Sequence, residues 1–466
     1  MSLPAIGAWL ALALLLAAFA LAPGGLERYR WLVTAAVVMT LAASLALAWG
    51  AAPQGFPHWQ GALVFDDLAH FILPPLWTGI SAAMLVCLFL PGTRYDLPLA
   101  ALSTAASTAG ILSANPLLAV TLLQASALLI LAGLVIPAER PGGNALLSIA
   151  TALKYITLTV LSAACLVMAL LLANFFALNQ DRIELPRIVA SVLVIGFGLA
   201  VGAMPFYFHL PDICDSAPPI TTAAMLGPLQ ALAFVYLIRT IGNGPWLLAD
   251  DHVISVLAYG AAAGSTLAAI LAVGQRRLQR VLAFNAIREI GWLALGIGSA
   301  TRAGWNAALI LLAVRCLGQP LLVSCGALFQ SSGDETSSDG LAGAARLFPV
   351  ATMGWCVGVL ASVGFPPAAS FWGVEALARA ALLVGWPALV LLLGSGLLAL
   401  WRFGQLTMPA FRASAAASAI AGGGPELPPI AGVIGSLAVG LLLGGVLPRL
   451  FTSPVNDVLS AFAFLR

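Results

Sequence analysis

Long apolar runs recur along the chain and are separated by short polar segments. Each run is roughly 20 residues long, which is enough for an α-helix to cross about 30 Å of hydrocarbon. The pattern predicts an all-α integral membrane protein with about fourteen transmembrane helices. The first run lacks a basic leader and a small-residue cleavage site, so we expect it to be a retained helix.

Two of these runs are interrupted. They read GAMPFYFHLPDICDSAPP (202–219) and GVLASVGFPPAASFWGVEALARA (358–380). Proline removes a backbone donor and clashes with the preceding turn, so these segments predict helix breaks at Pro205, Pro211, Pro366 and Pro367. The alternative interpretation is that the prolines only kink packed helices.

The repeated apolar–proline–ionisable pattern predicts two inverted five-helix repeats, in which helices seven and twelve are broken. The predicted divisions are a three-helix segment (1–96), a first repeat (97–241), a second repeat (252–401), and a C-terminal helix and tail (402–466). In transporters such breaks mark an ion path, because half-helix ends offer backbone groups at mid-membrane.

Composition agrees with this class: 61% of residues are hydrophobic, 8% are charged, and the mean hydropathy is +1.03. The formal net charge of +2 comes without an aromatic-interleaved basic face, which argues against a nucleic-acid partner. The six cysteines form no C-x-x-C pair, and we expect neither a metal site nor a haem, flavin or iron–sulfur cofactor.

Arginine is unevenly distributed between the two predicted sides. Loops after odd-numbered helices hold Arg28, Arg30, Arg94, Arg140, Arg276, Arg277, Arg280, Arg346, Arg402 and Arg412. The other loops hold chiefly Arg182, Arg187, Arg302 and Arg449. The positive-inside rule therefore predicts that both termini lie on the outer side of the membrane.

A few ionisable residues interrupt the apolar runs, where charge is costly and usually functional. The candidates for a proton path are Lys154, Glu289, Glu375 and His209. Lys154 is the only lysine and can instead be a fixed partner of a helix end or carboxylate, and His209 can instead cap its broken helix. Arginine does not release a proton at useful pH, so Arg288 and Arg315 are predicted to tune neighbouring charges.

Several segments resemble, in the same order, signatures of the antiporter-like subunits of respiratory complex I, membrane-bound hydrogenases and multisubunit cation/proton antiporters. The matching segments are FDDLAH (65–70), ALKYITLTVLSA (152–163), PFYFHLPDICDSAPP (205–219), RRLQRVLAFNAIREIG (276–291) and GFPPAASFWG (364–373). The resemblance implies fourteen helices, two inverted repeats, and a central row of Glu, Lys and His that conducts protons.

On that resemblance, most of the titratable row is substituted. The family glutamate of the fifth helix falls on Gln124, and the seventh-helix lysine falls on Ala200. The later positions of the row fall on Gln230 or Ala231, Glu289, Arg315, Gln319 and Val374, with Glu375 one residue late. Lys154 keeps its family identity.

The resemblance implies a proton- or cation-translocating membrane subunit that acts with other subunits, in a bacterial inner membrane. The alternatives are a scaffold subunit that conducts nothing, and the membrane half of an inorganic-carbon uptake system. Because isolated buried charges are costly, we expect Arg315 to pair with Glu289 or Glu375. We also expect Lys154 to face the bundle interior, within reach of Gln124, a carbonyl or water.

Overall fold

The protein is an assembly of α-helices, as seen in a computed structural model. It describes residues 2–21, 28–50, 63–90, 95–135, 145–178, 184–248, 250–331, 343–411, 427–462 and 464. These residues contain eighteen α-helices, counting Pro219–Asn243 as one, and an isolated β-bridge between Leu63 and Ser113. The all-α prediction is confirmed.

The N-terminal part of the chain supplies nine helices. They are α1 (Ser2–Leu21), α2 (Arg30–Gly50), α3 (Asp67–Cys87), α4 (Asp96–Leu112), α5 (Pro116–Val135), α6 (Ala145–Leu178), α7 (Leu185–Val201), α8 (His209–Ser216) and α9 (Pro219–Asn243). Helix α9 contains a π-helical turn, Met225–Leu229, which includes Pro228. Such turns widen a helix locally and often lie at functional sites.

The remaining helices follow from residue 251 onward. They are α10 (Asp251–Val273), α11 (Leu278–Gly298), α12 (Arg302–Ser331), α13 (Ala344–Leu347), α14 (Pro349–Val363), α15 (Ser370–Val384), α16 (Trp386–Thr407), α17 (Pro428–Val446) and α18 (Arg449–Ser460). Within the described ranges, ten helices are long and apolar enough to cross a membrane, and three shorter apolar helices accompany them. The count of fourteen and the division into repeats stay predictions.

Both predicted interruptions are confirmed. Helix α7 ends before Gly202 (φ +73°) and α14 ends before Gly364 (φ +77°), and helical structure resumes at α8 and α15. Glycine ends a helix in this left-handed conformation because it has no Cβ to clash with the backbone. Pro205, Pro366 and Pro367 lie within the two breaks.

Pro211 corrects one part of that prediction. It lies in the first turn of α8, beyond the break, and is buried there. The first turn of a helix tolerates proline because its backbone N–H groups have no partner within the helix. Pro211 therefore fits the start of the second half-helix and does not interrupt it.

The helices α3, α9, α11 and α12 form the centre of the bundle. Every residue in the apolar stretch of α9 is buried, and nearly all of those in α11 and α12 are. By contrast, only about a fifth to a third of the apolar stretches of α6, α10 and α16 is buried within the isolated chain. Polar residues in the middle of α9, α11 and α12 are therefore in the interior, whereas α6 has a buried polar side that includes Ser162 and an outer side that includes Lys154.

The FDDLAH segment forms a clamp at one end of the bundle. Asp66 caps α3 by accepting from the Ala69 N–H at 2.9 Å. Its carboxylate also takes two bonds, 2.7 and 2.8 Å, from Arg239 near the end of α9. Arg239 in turn donates to the carbonyls of Ile111 and Ser113 at the end of α4. One bidentate pair thus fixes the ends of three helices.

The central helices approach closely at Gly79 on α3. A Cβ built there would overlap the carbonyl oxygen of Cys316 on α12 and lie 3.2 Å from Pro320. Because backbone cannot move aside cheaply, only glycine fits at this crossing.

We expect Gly79→Ala to lower the free energy of unfolding by about 1–3 kcal/mol, the usual cost of overpacking a well-packed interior. The measurement is the thermal unfolding midpoint of the purified chain in detergent. Gly394→Ala on α16 is the matched control, since a Cβ there meets nothing within 4 Å. Equal midpoints for the two variants would show that the α3–α12 crossing is not tight.

Candidate functional site

The centre of the bundle contains an ion pair between α11 and α12. Arg315 Nη1 donates to Glu289 Oε2 at 2.5 Å, and both side chains are buried. Gln319, one turn further along α12, donates to the same oxygen at 2.8 Å. The predicted pairing of Arg315 is confirmed with Glu289 as its partner.

The other carboxylate oxygen leads toward the second break. Asn285 Nδ2 donates to Glu289 Oε1 at 3.1 Å. The Asn285 oxygen in turn accepts from Arg288 Nε at 3.1 Å and Nη2 at 2.9 Å. Arg288 Nη2 also donates to the carbonyl oxygen of Ser362, 2.6 Å away in the last turn of α14. The Arg288 guanidinium lies 4.0 Å from the centroid of the Trp292 ring, a cation–π contact.

The Arg315 side chain leads in the opposite direction, toward the first break. Its Nη2 donates to Gln230 Oε1, at the point where α9 leaves the π-helical turn. Gln230 Nε2 then donates to the carbonyl oxygen of Val201, the last residue of α7, at 3.0 Å. A third bond from Arg315 Nη1 reaches the Ala286 carbonyl at 3.1 Å.

These contacts join into one continuous hydrogen-bonded series between the two breaks, which we call the central polar chain. Its members come from α9, α11 and α12, and each end bonds a carbonyl of a half-helix C-terminus. The side chains are Gln230, Asn285, Arg288, Glu289, Arg315 and Gln319.

Electrostatics explain why the central polar chain contains two guanidiniums and one carboxylate. Its net positive charge lies between two helix C-termini, each equivalent to roughly half a negative charge. The partial charges of α7 and α14 therefore offset the excess cation. Neutral or acidic side chains at this place would not offset the partial negative charges of the two helix C-termini.

A small cavity adjoins the Arg315–Glu289 pair. Measured as the space open to the centre of a water molecule it is about 20 Å³, room for roughly one water. Its polar lining comes from Glu289, Arg315, Gln319 and Ser362, and its apolar lining includes Trp292 and Leu311. Gln319 Oε1 and Arg315 Nε are buried and have no hydrogen-bond partner among the residues that the structure describes. The polar groups therefore line a space that is large enough for one water molecule, which can carry a proton.

The comparisons with known proteins decide the family. Residues 143–399, more than half of the chain, match the family model described as "NADH:quinone oxidoreductase/Mrp antiporter, TM". The chain belongs to this family.

Individual relatives agree with that membership. "NADH-quinone oxidoreductase subunit 14" of Thermus thermophilus is 29% identical over 460 residues, covering 96% of this chain and 98% of the relative. "NADH-quinone oxidoreductase subunit N" of Paramagnetospirillum magneticum is 26% identical over 374 residues, covering 73% and 74%.

Solved structures agree in fold. A chain of respiratory complex I from Thermus thermophilus with bound NADH superposes with a TM-score of 0.81 at 18% identity, over 100% of both chains. A chain of the Mrp complex from Dietzia sp. gives 0.78 at 16% identity, over 98% of this chain and 99% of that one. At such identity the likeness shows the fold alone.

Lys154 does not lie where the sequence predicts it, which is in the interior of the bundle. Its side chain is 59% exposed, and its amine bonds Asp212 Oδ2 at 2.9 Å; it does not face the interior. Gln124 is a partly buried residue of α5 whose Oε1 has no hydrogen-bond partner in the described part of the chain, and Lys154 bonds Asp212 instead. Helix length explains the error, because α6 continues for 24 uncharged residues, 155–178, beyond the lysine.

Glu375 also lies outside the central polar chain. It pairs with Arg379 one turn along α15, and both side chains are substantially exposed. His209 is fully buried at the start of α8, where its ring stacks on Tyr155 with centroids 5.6 Å apart. The ring adjoins Gly202, so His209 packs directly against the first break.

Sequence reasoning missed one member of the central polar chain, Asn285, and gave Gln230 only as one of two alternatives for a substituted family position. Asn285 stands three residues before Arg288 and four before Glu289, the spacing at which helical side chains meet. This spacing can be read from the sequence and predicts the contacts of Asn285. Gln230 follows a π-helical turn, which changes the direction of its side chain in a way that regular periodicity does not indicate.

We expect Glu289→Gln to lower the free energy of unfolding by about 3–5 kcal/mol, because removing one partner leaves Arg315 as an uncompensated buried charge. Thermal unfolding in detergent measures this. Glu375→Gln is the matched control; it breaks an exposed pair and should cost about 0–1 kcal/mol. Equal losses in the two variants would contradict the buried character of the central pair.

Proposed function

We propose that this chain is a membrane subunit of a multisubunit complex related to NADH-quinone oxidoreductase, and that it contributes to proton translocation. The observation that carries the proposal is the central polar chain, which joins the two broken helices through the middle of the bundle. The family and the names of the relatives support it.

Within the central polar chain, Glu289 is the group that exchanges a proton. The guanidiniums of Arg288 and Arg315 stay protonated, and the side-chain amides do not titrate near neutral pH. In the arrangement described, Arg315 Nη1 donates to Glu289 Oε2 at 2.5 Å and occupies the oxygen that an incoming proton would take. Proton uptake by Glu289 therefore requires Arg315 to move away, and that movement is the gate.

Other residues extend the path as further candidates. His209 is the candidate next to the first break, because its ring packs against Gly202, the neighbour of Val201. Gln124, Lys154 and Glu375 are candidates nearer the surface of the bundle. Arg288 and Gln319 are proposed to set the charge and orientation of Glu289 rather than to carry protons.

The same contact favours a second function, a scaffold subunit that conducts nothing. A guanidinium bonded directly to the one exchangeable carboxylate is also what a permanently closed path contains. The two functions differ in whether Arg315 ever leaves Glu289. Proton flux through the purified complex that contains the chain, reconstituted in vesicles, distinguishes them.

We expect Glu289→Gln to lower proton flux at least tenfold, and Glu289→Asp to retain part of it. Arg315→Lys should keep flux at or above the unsubstituted level, since lysine releases its partner or its proton more easily than arginine. Arg315→Gln should reduce flux, because it leaves Glu289 buried without its cation.

The control is Arg187→Gln, which breaks a surface pair with Asp250. It should leave flux unchanged. If Glu289→Gln and both Arg315 variants pump normally in an assembled complex, the chain does not conduct through Glu289. Loss of assembly in these variants, with normal flux per assembled complex, supports the scaffold function.

We infer that both termini lie on the outer side of a bacterial inner membrane. Arg276 and Arg277 precede α11, and Arg402 near the end of α16 donates to the Gln275 carbonyl, so these three arginines lie at one surface. That surface is the inner one by the positive-inside rule. The start of α7, at Glu184, lies at the opposite surface.

The topology predicts the accessibility of introduced cysteines to a membrane-impermeant maleimide in intact cells. Glu184→Cys should label directly, whereas Arg276→Cys should label only after permeabilisation. Most native cysteines are buried and give a low background. The reverse labelling pattern would place the termini inside.

A further inference from the structure

Four cations from two parts of the chain converge at one membrane surface; we call them the basic rim. They are Lys154 on α6, Arg276 and Arg277 before α11, and Arg280 in its first turn. Lys154 bonds Asp212 at 2.9 Å, while Arg277 and Arg280 bond Asp215 at 2.7 and 3.0 Å. The acids belong to α8, so the basic rim surrounds the end of that half-helix.

The helix lengths place the basic rim at the edge of the hydrocarbon. Residues 155–178 of α6 carry no charge and rise about 36 Å, which is enough to cross a hydrocarbon layer of about 30 Å. Lys154 precedes this segment and lies at its boundary. Arg277 is the N-cap residue of α11, and Arg276 immediately precedes it in the connection from α10.

Charge within the basic rim is not balanced. Four cations face two carboxylates, which leaves two positive charges in excess. The Asp215 side chain is only 6% exposed, whereas those of Lys154 and Arg277 are 59% and 49% exposed. Arg276 is exposed and makes no ion pair among the described residues. The cationic groups therefore lie on the exposed side of the two acids, where an anion can contact them.

Below the basic rim, α6 presents an apolar stripe. Its exposed side chains follow helical spacing and include Leu153 beside Lys154, followed by Val160, Met168 and Leu171. The stripe runs from the level of Lys154 across the hydrocarbon layer. An amphiphile can contact both parts, with its anionic head group at the basic rim and its acyl chains along the apolar stripe. A free anion contacts only the basic rim.

We propose that the basic rim binds the phosphate of an anionic phospholipid whose acyl chains lie along the stripe of α6. Arg276 supplies a cation that no described acid pairs, Lys154 supplies an exposed ammonium with donors beyond its bond to Asp212, and Arg277 and Arg280 add further donors. Basic pockets between transmembrane helices on the cytoplasmic side are the usual sites for anionic head groups. By the topology proposed above, the basic rim faces that side.

Binding is tested by native mass spectrometry of the full-length chain, delipidated in detergent. Phosphatidylglycerol and phosphatidylcholine with identical acyl chains are titrated separately. We expect phosphatidylglycerol to bind at least fivefold more tightly. Lys154→Gln and Arg276→Gln should each weaken its binding about fivefold, close to the contribution of one basic residue near an anionic surface. Lys154→Arg should retain it.

Arg187→Gln is the matched control, an exposed and acid-paired cation at the opposite surface, and should leave binding unchanged. Arg276→Gln removes no ion pair among the described residues, so its effect does not depend on unfolding. Leu153→Ser should weaken lipid binding as well. Equal binding of the two lipids, or no effect of either charge variant, overturns the proposal.

Two further outcomes also contradict the proposal. If inorganic phosphate competes fully at millimolar concentration and Leu153→Ser has no effect, the basic rim is a site for free anions. If Lys154→Gln and Arg276→Gln weaken association with other subunits but leave lipid binding intact, the basic rim is a protein interface.

Discussion

The structure depends on how two helix ends are satisfied inside an apolar bundle. A helix that stops at mid-membrane leaves carbonyl oxygens that neither lipid nor water can reach, and each unsatisfied group costs several kcal/mol. Here Gly202 and Gly364 end α7 and α14 in the same left-handed conformation. Gln230 and Arg288 then donate to the exposed carbonyls of Val201 and Ser362.

This requirement explains how an arginine fits at position 315, one of the substituted positions of the row that the resemblance implies. One Arg315 guanidinium simultaneously bonds Glu289, the Ala286 carbonyl and Gln230. Lysine offers three donors from one point, and histidine offers at most two in the plane of its ring. The planar guanidinium therefore joins α9, α11 and α12 in a way that neither replacement reproduces. The consequence for the proposed path is that Glu289 is the one carboxylate among the side chains of the central polar chain.

The sequence allowed several of these features to be predicted because they depend on local rules. Proline and glycine at 202–219 and 364–367 indicate the breaks whatever surrounds them. The cost of an isolated buried charge indicates that Arg315 and Glu289 pair. Neither prediction depends on how each helix is rotated about its axis relative to its neighbours.

The incorrect predictions depended on rotation and depth. Lys154 was expected inside because it stands within an apolar run, yet α6 is long enough to place it at the boundary. Glu375 is one residue from the family position, and one residue turns a side chain by about 100° around a helix, so it reaches Arg379 instead. The ion pairs of Asp212 and Asp215 have no local signal, because their cationic partners are more than fifty residues away in sequence.

The same contacts indicate which element moves if Arg315 is to leave Glu289. Helix α8 is held by Lys154, Arg277 and Arg280 through its two acids. The end of α9 is held by the bidentate pair of Arg239 with Asp66. Between these fixed points lies the π-helical turn Met225–Leu229, a local widening of the kind often found at functional sites. Gln230 directly follows this turn and accepts from Arg315, so the turn lies between the fixed ends of α8 and α9 and next to the contact that orients the guanidinium.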